Sequence, residues 1–159
     1  MEHLQVYHCD HKERLGNIGD GGYVTILLPG SYDLYLGCGL NEDTSFDEVF
    51  AMRYPDVYGF AFDGTIPKRP ASLPERYAYV PVNVGGENTN SITNLVPFIR
   101  SSSNVFLKMD IEGSEWVWLT LLEDKDLVRM KQIVIELHWL SDDRYVSQFF
   151  TPRKISNAE

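Results

Sequence analysis

Cysteine is scarce in this chain. Only Cys9 and Cys38 occur in 159 residues, too few for a disulfide framework, and Cys38 sits between two glycines where a crosslink would obstruct the turn. A reducing, cytoplasmic setting is therefore expected. Long apolar runs are also missing: none approaches the roughly 18 residues that span a bilayer. Met1 to Leu15 carries His, Asp, Lys and Glu where a signal peptide needs an apolar core, so no membrane partner is expected. Basic residues are outnumbered 14 to 23, giving a formal net charge of -9. That balance speaks against nucleic acid, whose binding draws on clustered Lys and Arg. Lys68-Arg69 and Arg153-Lys154 read as solvated loop charge. Repeats, low-complexity tracts and linkers are absent. With 43% hydrophobic residues the chain can bury one sizeable core, so one domain over 1–159 is expected, with a polar arm at 1–15, a core at 16–140 and a C-terminal remnant at 141–159.

Two apolar stretches that end in polar turns are the main positive signal: Tyr32-Asp33-Leu34-Tyr35-Leu36-Gly37-Cys38-Gly39 and Val57-Tyr58-Gly59-Phe60-Ala61-Phe62-Asp63-Gly64. A parallel strand stopping at spaced glycines, followed by one stopping at an aspartate, is how α/β folds build a nucleoside-cofactor crevice. The carboxylate can accept hydrogen bonds from ribose hydroxyls. Charge separates the candidate cofactors. A dinucleotide fingerprint needs a third glycine three residues after Gly39, and here Glu42 stands there with Asp43 beside it. At about 5 Å and an effective dielectric near 20, one carboxylate repels a phosphate charge by roughly 3 kcal/mol. S-adenosylmethionine, with a sulfonium and an ammonium, tolerates the same neighbours, so a methyl-donor site is expected in preference to NAD.

Strand signals recur at 23–28, 32–37, 57–62, 77–84, 105–110 and 132–137. Helical spacing appears at 46–52 (Phe46, Val49, Phe50, Met52), more weakly at 91–99, and at 115–122 (Trp116, Leu119, Leu122). Thr44 or Ser45 is placed to cap the first helix. Pro67, Pro70 and Pro74 exclude regular structure from the loop between them. The alternation predicts an α/β fold, a mostly parallel sheet with helices on both faces. The strand at 23–28 is expected as an added element beside it.

The set Gly19-Asp20-Gly21-Gly22-Tyr23-Val24, Leu36-Gly37-Cys38-Gly39, Ser45-Phe46-Asp47, Phe60-Ala61-Phe62-Asp63, Leu107 to Trp116 and Ile133 to His138 resembles the FkbM-like class of SAM-dependent methyltransferases, from about Gly16 to Leu140. The resemblance implies the Rossmann-like class I methyltransferase fold, a three-layer sandwich, and O-methylation of a hydroxyl on a small molecule or sugar with S-adenosylmethionine as cofactor. It implies a cofactor-binding set of Gly37, Cys38, Gly39, Asn41, Ser45, Asp63 and Asp110. Within it, Gly37 and Gly39 line the methionine half, Asp63 holds the ribose and Asp110 closes the crevice. That fold normally ends with two further antiparallel strands. Only Ser141 to Glu159 follow the fifth strand here, so either a C-terminally shortened member or a fragment of a longer chain is expected, with a fifth-strand edge open to homo-oligomerisation.

Glu136 and His138 alternate with Leu137 and so share a face near the end of the fifth strand. With Asp110 from the neighbouring strand they form the candidate catalytic set. They could take a proton from a substrate hydroxyl or hold a divalent metal, a satisfied polar pair being the plain alternative; no metal is assigned. Glu112 and Glu115 flank a glycine at a helix start, where acid suits the dipole. Lys108, in an apolar strand, must reach an edge or a carboxylate. Tyr23 is either a lid over the site or an ordinary edge tyrosine. His8-Cys9-Asp10-His11 lacks the partner pair that a zinc site requires and reads as a polar arm.

Overall fold

The computed structural model describes residues 8–140; the first seven residues of the arm and the remnant at 141–159 lie outside the described residues. Five strands form one parallel sheet: β3 (Leu34–Cys38), β4 (Gly59–Phe62), β5 (Tyr77–Val80), β8 (Val105–Met109) and β9 (Met130–Ile135), in the order β5-β4-β3-β8-β9. The chain runs outward from β3 to β5, then returns to the other side of β3. The order therefore reverses between β3 and β8, where a doubly wound sheet opens a crevice at its carboxyl edge.

Strand alternation sends side chains to two separate cores. Leu34, Leu36 and Cys38 of β3 join Val105, Leu107 and Met109 of β8 on one face, under Ile99 of α2 (Val96–Arg100) and Trp118 of α3 (Glu115–Leu121). Tyr35 and Phe106 point the other way, to Phe46 and Phe50 of α1 (Ser45–Arg53). This second core is largely aromatic: Tyr35 stacks on Tyr77 with centroids 4.8 Å apart and Phe50 lies 4.4 Å from Phe106. Helices thus cover both faces of a mostly parallel sheet, as the alternating pattern predicts.

Several local expectations change. In α1, Val49 and Met52 are exposed, and Asp47 takes a core position instead. Neither Thr44 nor Ser45 caps that helix by its side chain; the Asp43 carboxylate accepts from the Ser45 N–H at 2.9 Å. The strand expected over 77–84 stops at Val80, before Pro81, which has no N–H to give. It resumes as β6 (Asn83–Val84), which pairs with β7 (Ile92–Thr93) where a helix start was expected. Trp116 and Trp118 are both buried. A further short helix, α4 (Asp124–Leu127), begins at a Glu123 capping box.

The polar arm also needs correction. Lys12–Leu15 is a strand, β1, paired antiparallel with β2 (Tyr23–Ile26). Polar residues suffice because the strand is tied by an ion pair and turn bonds: Glu13 pairs with Arg53 of α1, and Arg14 donates to the carbonyls of Asn17 (3.1 Å) and Gly19 (2.6 Å). From β9, the Gln132 side-chain amide bonds the N–H and C=O of Ile26 at 2.9 and 3.0 Å, imitating a strand partner for β2. No helix among the described residues is long and apolar enough to cross a membrane.

Candidate functional site

A crevice of about 580 Å³ opens at the carboxyl ends of β3 and β8. Its floor is the turn after β3. Gly39 has φ +72, and a Cβ there would lie 1.5 Å from the Asp110 carbonyl oxygen, so only glycine lets the two strand ends meet this closely. Asn41 (φ 49) and Glu112 (φ 56) hold left-handed backbone on either side of the opening, a conformation costing about 1 to 2 kcal/mol for a residue with a side chain.

Asp63 reaches from the end of β4 beneath this turn. One carboxylate oxygen accepts from the backbone N–H groups of Leu40 and Asn41, both at 3.0 Å; the other accepts from the Thr65 N–H (2.8 Å) and hydroxyl (2.6 Å). Burial opposes its charge, but the bonds from Thr65, Asn41 and Leu40 prevail and hold its pKa below the usual carboxylate range. All four acceptor positions of the carboxylate are used within the chain. Asp63 lines the crevice and at the same time braces the turn.

The glycine-rich segment before β2 forms a further wall through Asp20, Gly21 and Tyr23. Ser45 pins it, accepting from the Asn17 N–H (2.9 Å) and donating to the Gly21 carbonyl (3.1 Å), while Asn17 donates to the Asp43 carboxylate at 3.1 Å. Tyr23 leans over the strand ends. Its hydroxyl donates to Asp110 Oδ2 at 2.7 Å and lies 3.3 Å from Glu136 Oε2. Burial and these carboxylates push the Tyr23 phenol well above its ordinary pKa. Lys108 Nζ sits 5.1 Å from the centre of the Tyr23 ring and donates to the carbonyls of Gly39 (2.5 Å) and Cys38 (3.4 Å). The buried lysine is satisfied by backbone as well as by the nearby charge of Asp47.

The candidate cofactor set divides. Gly39, Asn41, Asp63 and Asp110 line the crevice; Gly37, Cys38 and Ser45 do not. A Cβ at Gly37 would meet the Asp47 carboxylate at 2.7 Å and the Tyr35 ring, so this glycine makes room for a buried polar group beneath α1. Cys38 faces the opposite core, where burial pushes its thiol up. Ser45 acts as the pin described above.

The candidate catalytic residues gather around one another, although Asp110 alone of the three lines the crevice. Glu136 and His138 lie just past the end of β9, and the Glu136 N–H donates to the Met109 carbonyl at 2.9 Å, which ties them to the end of β8. His138 Nε2 has three carboxylate oxygens around it: Glu112 Oε2 at 3.5 Å, Asp110 Oδ1 at 3.8 Å and Glu136 Oε1 at 3.9 Å. Its Nδ1 is 3.0 Å from Glu115 Oε1. Burial would lower the imidazole pKa, but the Glu115 bond and the charges of Glu115, Glu112 and Asp110 raise it above the ordinary value. Glu115, expected to be a helix-start acid, is fully buried and orients this histidine while also accepting from the Ile111 N–H at 2.9 Å. Its four-residue offset from Ile111 resembles ordinary helix-start spacing, so sequence alone gave little sign of the role. His8, Cys9, Asp10 and His11 do not gather into a ligand set.

The crevice wall carries six carboxylates (Asp20, Asp43, Asp47, Asp63, Asp110 and Glu112) against one lysine. Such a surface attracts a cationic ligand and repels a pyrophosphate. Compared with protein-family profiles, with curated proteins and with solved structures, the chain matches none.

Proposed function

We propose that the chain is an S-adenosylmethionine-dependent methyltransferase that acts on a hydroxyl of a small molecule or sugar, on a class I methyltransferase sheet. The observation that carries this reading is an open, acid-walled crevice at the point where the order of a parallel sheet reverses. When bound, S-adenosylmethionine would supply an electrophilic methyl group on a positively charged sulfur. Gly39 and Asn41 present backbone to it, and Asp43, Asp47 and Asp110 give the wall its sign. Asp63 sits where the ribose hydroxyls would lie, and rotation of the Thr65 hydroxyl frees one of its acceptor positions. Asp110 would meet the acceptor hydroxyl from the crevice wall, with Glu136 and His138 beside it to pass on the proton. Holding that hydroxyl in line supplies much of the acceleration, because displacement at a sulfonium depends on alignment more than on acid-base power.

A second reading, a non-catalytic binding module of the same architecture, draws on Asp63, whose four acceptor positions are already used by Leu40, Asn41 and Thr65. Thermal-shift measurements with S-adenosylmethionine, S-adenosylhomocysteine and NAD separate the readings. Methyltransferase function expects stabilisation by the two sulfur nucleosides and not by NAD. Stabilisation by neither class supports the binding module, and stabilisation by NAD alone defeats both.

A further inference from the structure

We infer that Asp110, Glu115 and His138 bind one divalent metal ion of the manganese, iron or zinc class, at the start of the helix that follows β8. The three come from separate elements: Asp110 directly follows β8, Glu115 opens α3 and His138 lies past the end of β9. Each offers one donor atom, and the three donors lie within 4.8 Å of one another. Ligands held about 2.0 to 2.2 Å from a common ion stand about 3 to 3.6 Å apart, so a modest inward movement completes the set. One edge of the triangle is already at that separation, since Glu115 Oε1 lies 3.0 Å from His138 Nδ1.

Burial supplies an observation that spacing does not. The Glu115 side chain is wholly shielded from solvent, yet its Oε2 has no hydrogen-bond partner, and Asp110 Oδ1 is likewise buried and unpartnered. A buried acceptor without a donor is uncommon, and an ionised carboxylate kept from water is costly unless a cation meets it. Two of the three ligands therefore present an oxygen that the protein leaves unmet. Their other oxygens are engaged: Glu115 Oε1 accepts from the Ile111 N–H at 2.9 Å and Asp110 Oδ2 from the Tyr23 hydroxyl at 2.7 Å. These bonds hold both carboxylates in place and leave Oε2 and Oδ1 for an ion.

The surroundings suit a cation that takes the place of the proton between His138 Nδ1 and Glu115. The other ring nitrogen, Nε2, faces Glu112 Oε2 at 3.5 Å and Glu136 Oε1 at 3.9 Å. An imidazole that ligates through Nδ1 keeps its Nε2–H for such carboxylates, the outer contact that steadies a ligating histidine. Lys108 does not offset this charge directly, because its ammonium is turned to the carbonyls of Gly39 and Cys38. One imidazole with two carboxylates favours manganese, iron or zinc over an all-oxygen calcium or magnesium site. The inference needs no nucleoside and stands apart from the methyl-transfer reading.

The test is a Mn2+ titration of the full chain, without nucleoside, followed by electron paramagnetic resonance. The expected result is one Mn2+ per chain, with affinity falling at least tenfold in Glu115→Gln and in His138→Gln. Glu115→Gln keeps the size of the side chain and an oxygen for the Ile111 N–H while removing the charge. Glu112→Gln removes an exposed charge beside the ring but none of the three donors, and should cost less than threefold. In wild-type protein the His138 ring signals should broaden at sub-stoichiometric Mn2+, ahead of those of the other three histidines. This second readout needs no variant to fold. A loss in Glu112→Gln as large as that in Glu115→Gln would mark a diffuse acidic surface and overturn the site. Absence of bound Mn2+, several equal weak sites, wild-type affinity in Glu115→Gln and His138→Gln, or sharp His138 signals at saturation would each do the same. S-adenosylmethionine binding, measured separately, can succeed or fail without changing this result.

Discussion

Gly39 and Asp110 touch across the top of the sheet so closely that a methyl group on the glycine would lie 1.5 Å from the Asp110 carbonyl oxygen. The contact joins the ends of β3 and β8, already linked by the Asp110 N–H donating to the Cys38 carbonyl at 3.0 Å. Gly39→Ala must therefore separate the strand ends and also strain a φ of +72. The expected loss is about 3 kcal/mol from overpacking and left-handed strain together. A urea midpoint within experimental error of wild type would contradict the contact.

Asp63 should respond to a change that preserves its shape. Asp63→Asn turns one acceptor oxygen into a donor facing either the Leu40 and Asn41 N–H groups or Thr65. Leaving such buried donors unmet costs roughly 2 kcal/mol, so the melting temperature should fall. Calorimetry should show S-adenosylmethionine affinity reduced at least tenfold. Wild-type affinity in a folded variant would remove Asp63 from the ribose role.

Tyr23→Phe isolates the hydroxyl that bridges Asp110 and Glu136. The ring contacts with Phe46 and Lys108 remain, so the fold should persist with a loss of about 1 kcal/mol for one hydrogen bond. Equilibrium unfolding with an unchanged denaturant slope is the check. A loss several times larger would mean that the hydroxyl organises the whole β1–β2 hairpin.

Stability should depend on pH through Asp47. Burial pushes this carboxyl up to about 6, against the lowering effects of Lys108 and of the Tyr35 hydroxyl. Above its unfolded pKa of about 4 and below about 6, the native state holds a proton that the unfolded chain has lost, so this group's contribution falls as pH rises through that window. The shift corresponds to on the order of 3 kcal/mol. Subtracting the unfolding free energies of Asp47→Asn from those of wild type between pH 4 and 7.5 should reveal that slope; a flat difference would refute it. Asp126 acts in the opposite sense. The Arg100 guanidinium holds its pKa below the usual carboxylate range, so its stabilising contribution is present above the unfolded pKa and is lost as pH falls through the folded one.

The parallel core was legible because its strands announce themselves. Leu34 to Cys38, and Val105 to Met109 apart from Lys108, are apolar on both faces, as buried parallel strands must be, and their observed bounds differ from the expected ones by only a few residues. The crevice followed from Gly39 and Asp63. What escaped the sequence was held by tertiary contacts. Lys12 to Leu15 has no apolar alternation, and its strand depends on Arg53 and on the Arg14 turn bonds. The short β6–β7 pair is shaped by Asn88, Thr89 and Asn94 side chains bonding nearby backbone, a local competition that periodicity cannot see. The pairing of Gly37 with Gly39 predicts a shared place at the crevice, yet only Gly39 lines it. The alternation of a strand turns the two in the same direction, but only the second has passed the end of the sheet.

The β1–β2 hairpin stands outside the main sheet, yet it delivers Tyr23 to Asp110 and Asp20 to the rim. The docking of this accessory ribbon and the shape of the cavity are consequently one equilibrium: a molecule lodged beneath Tyr23 braces the ribbon, and peeling the ribbon back uncovers the molecule. Amide hydrogen exchange in residues 12–26 should therefore slow upon occupancy, although most of that segment touches no ligand.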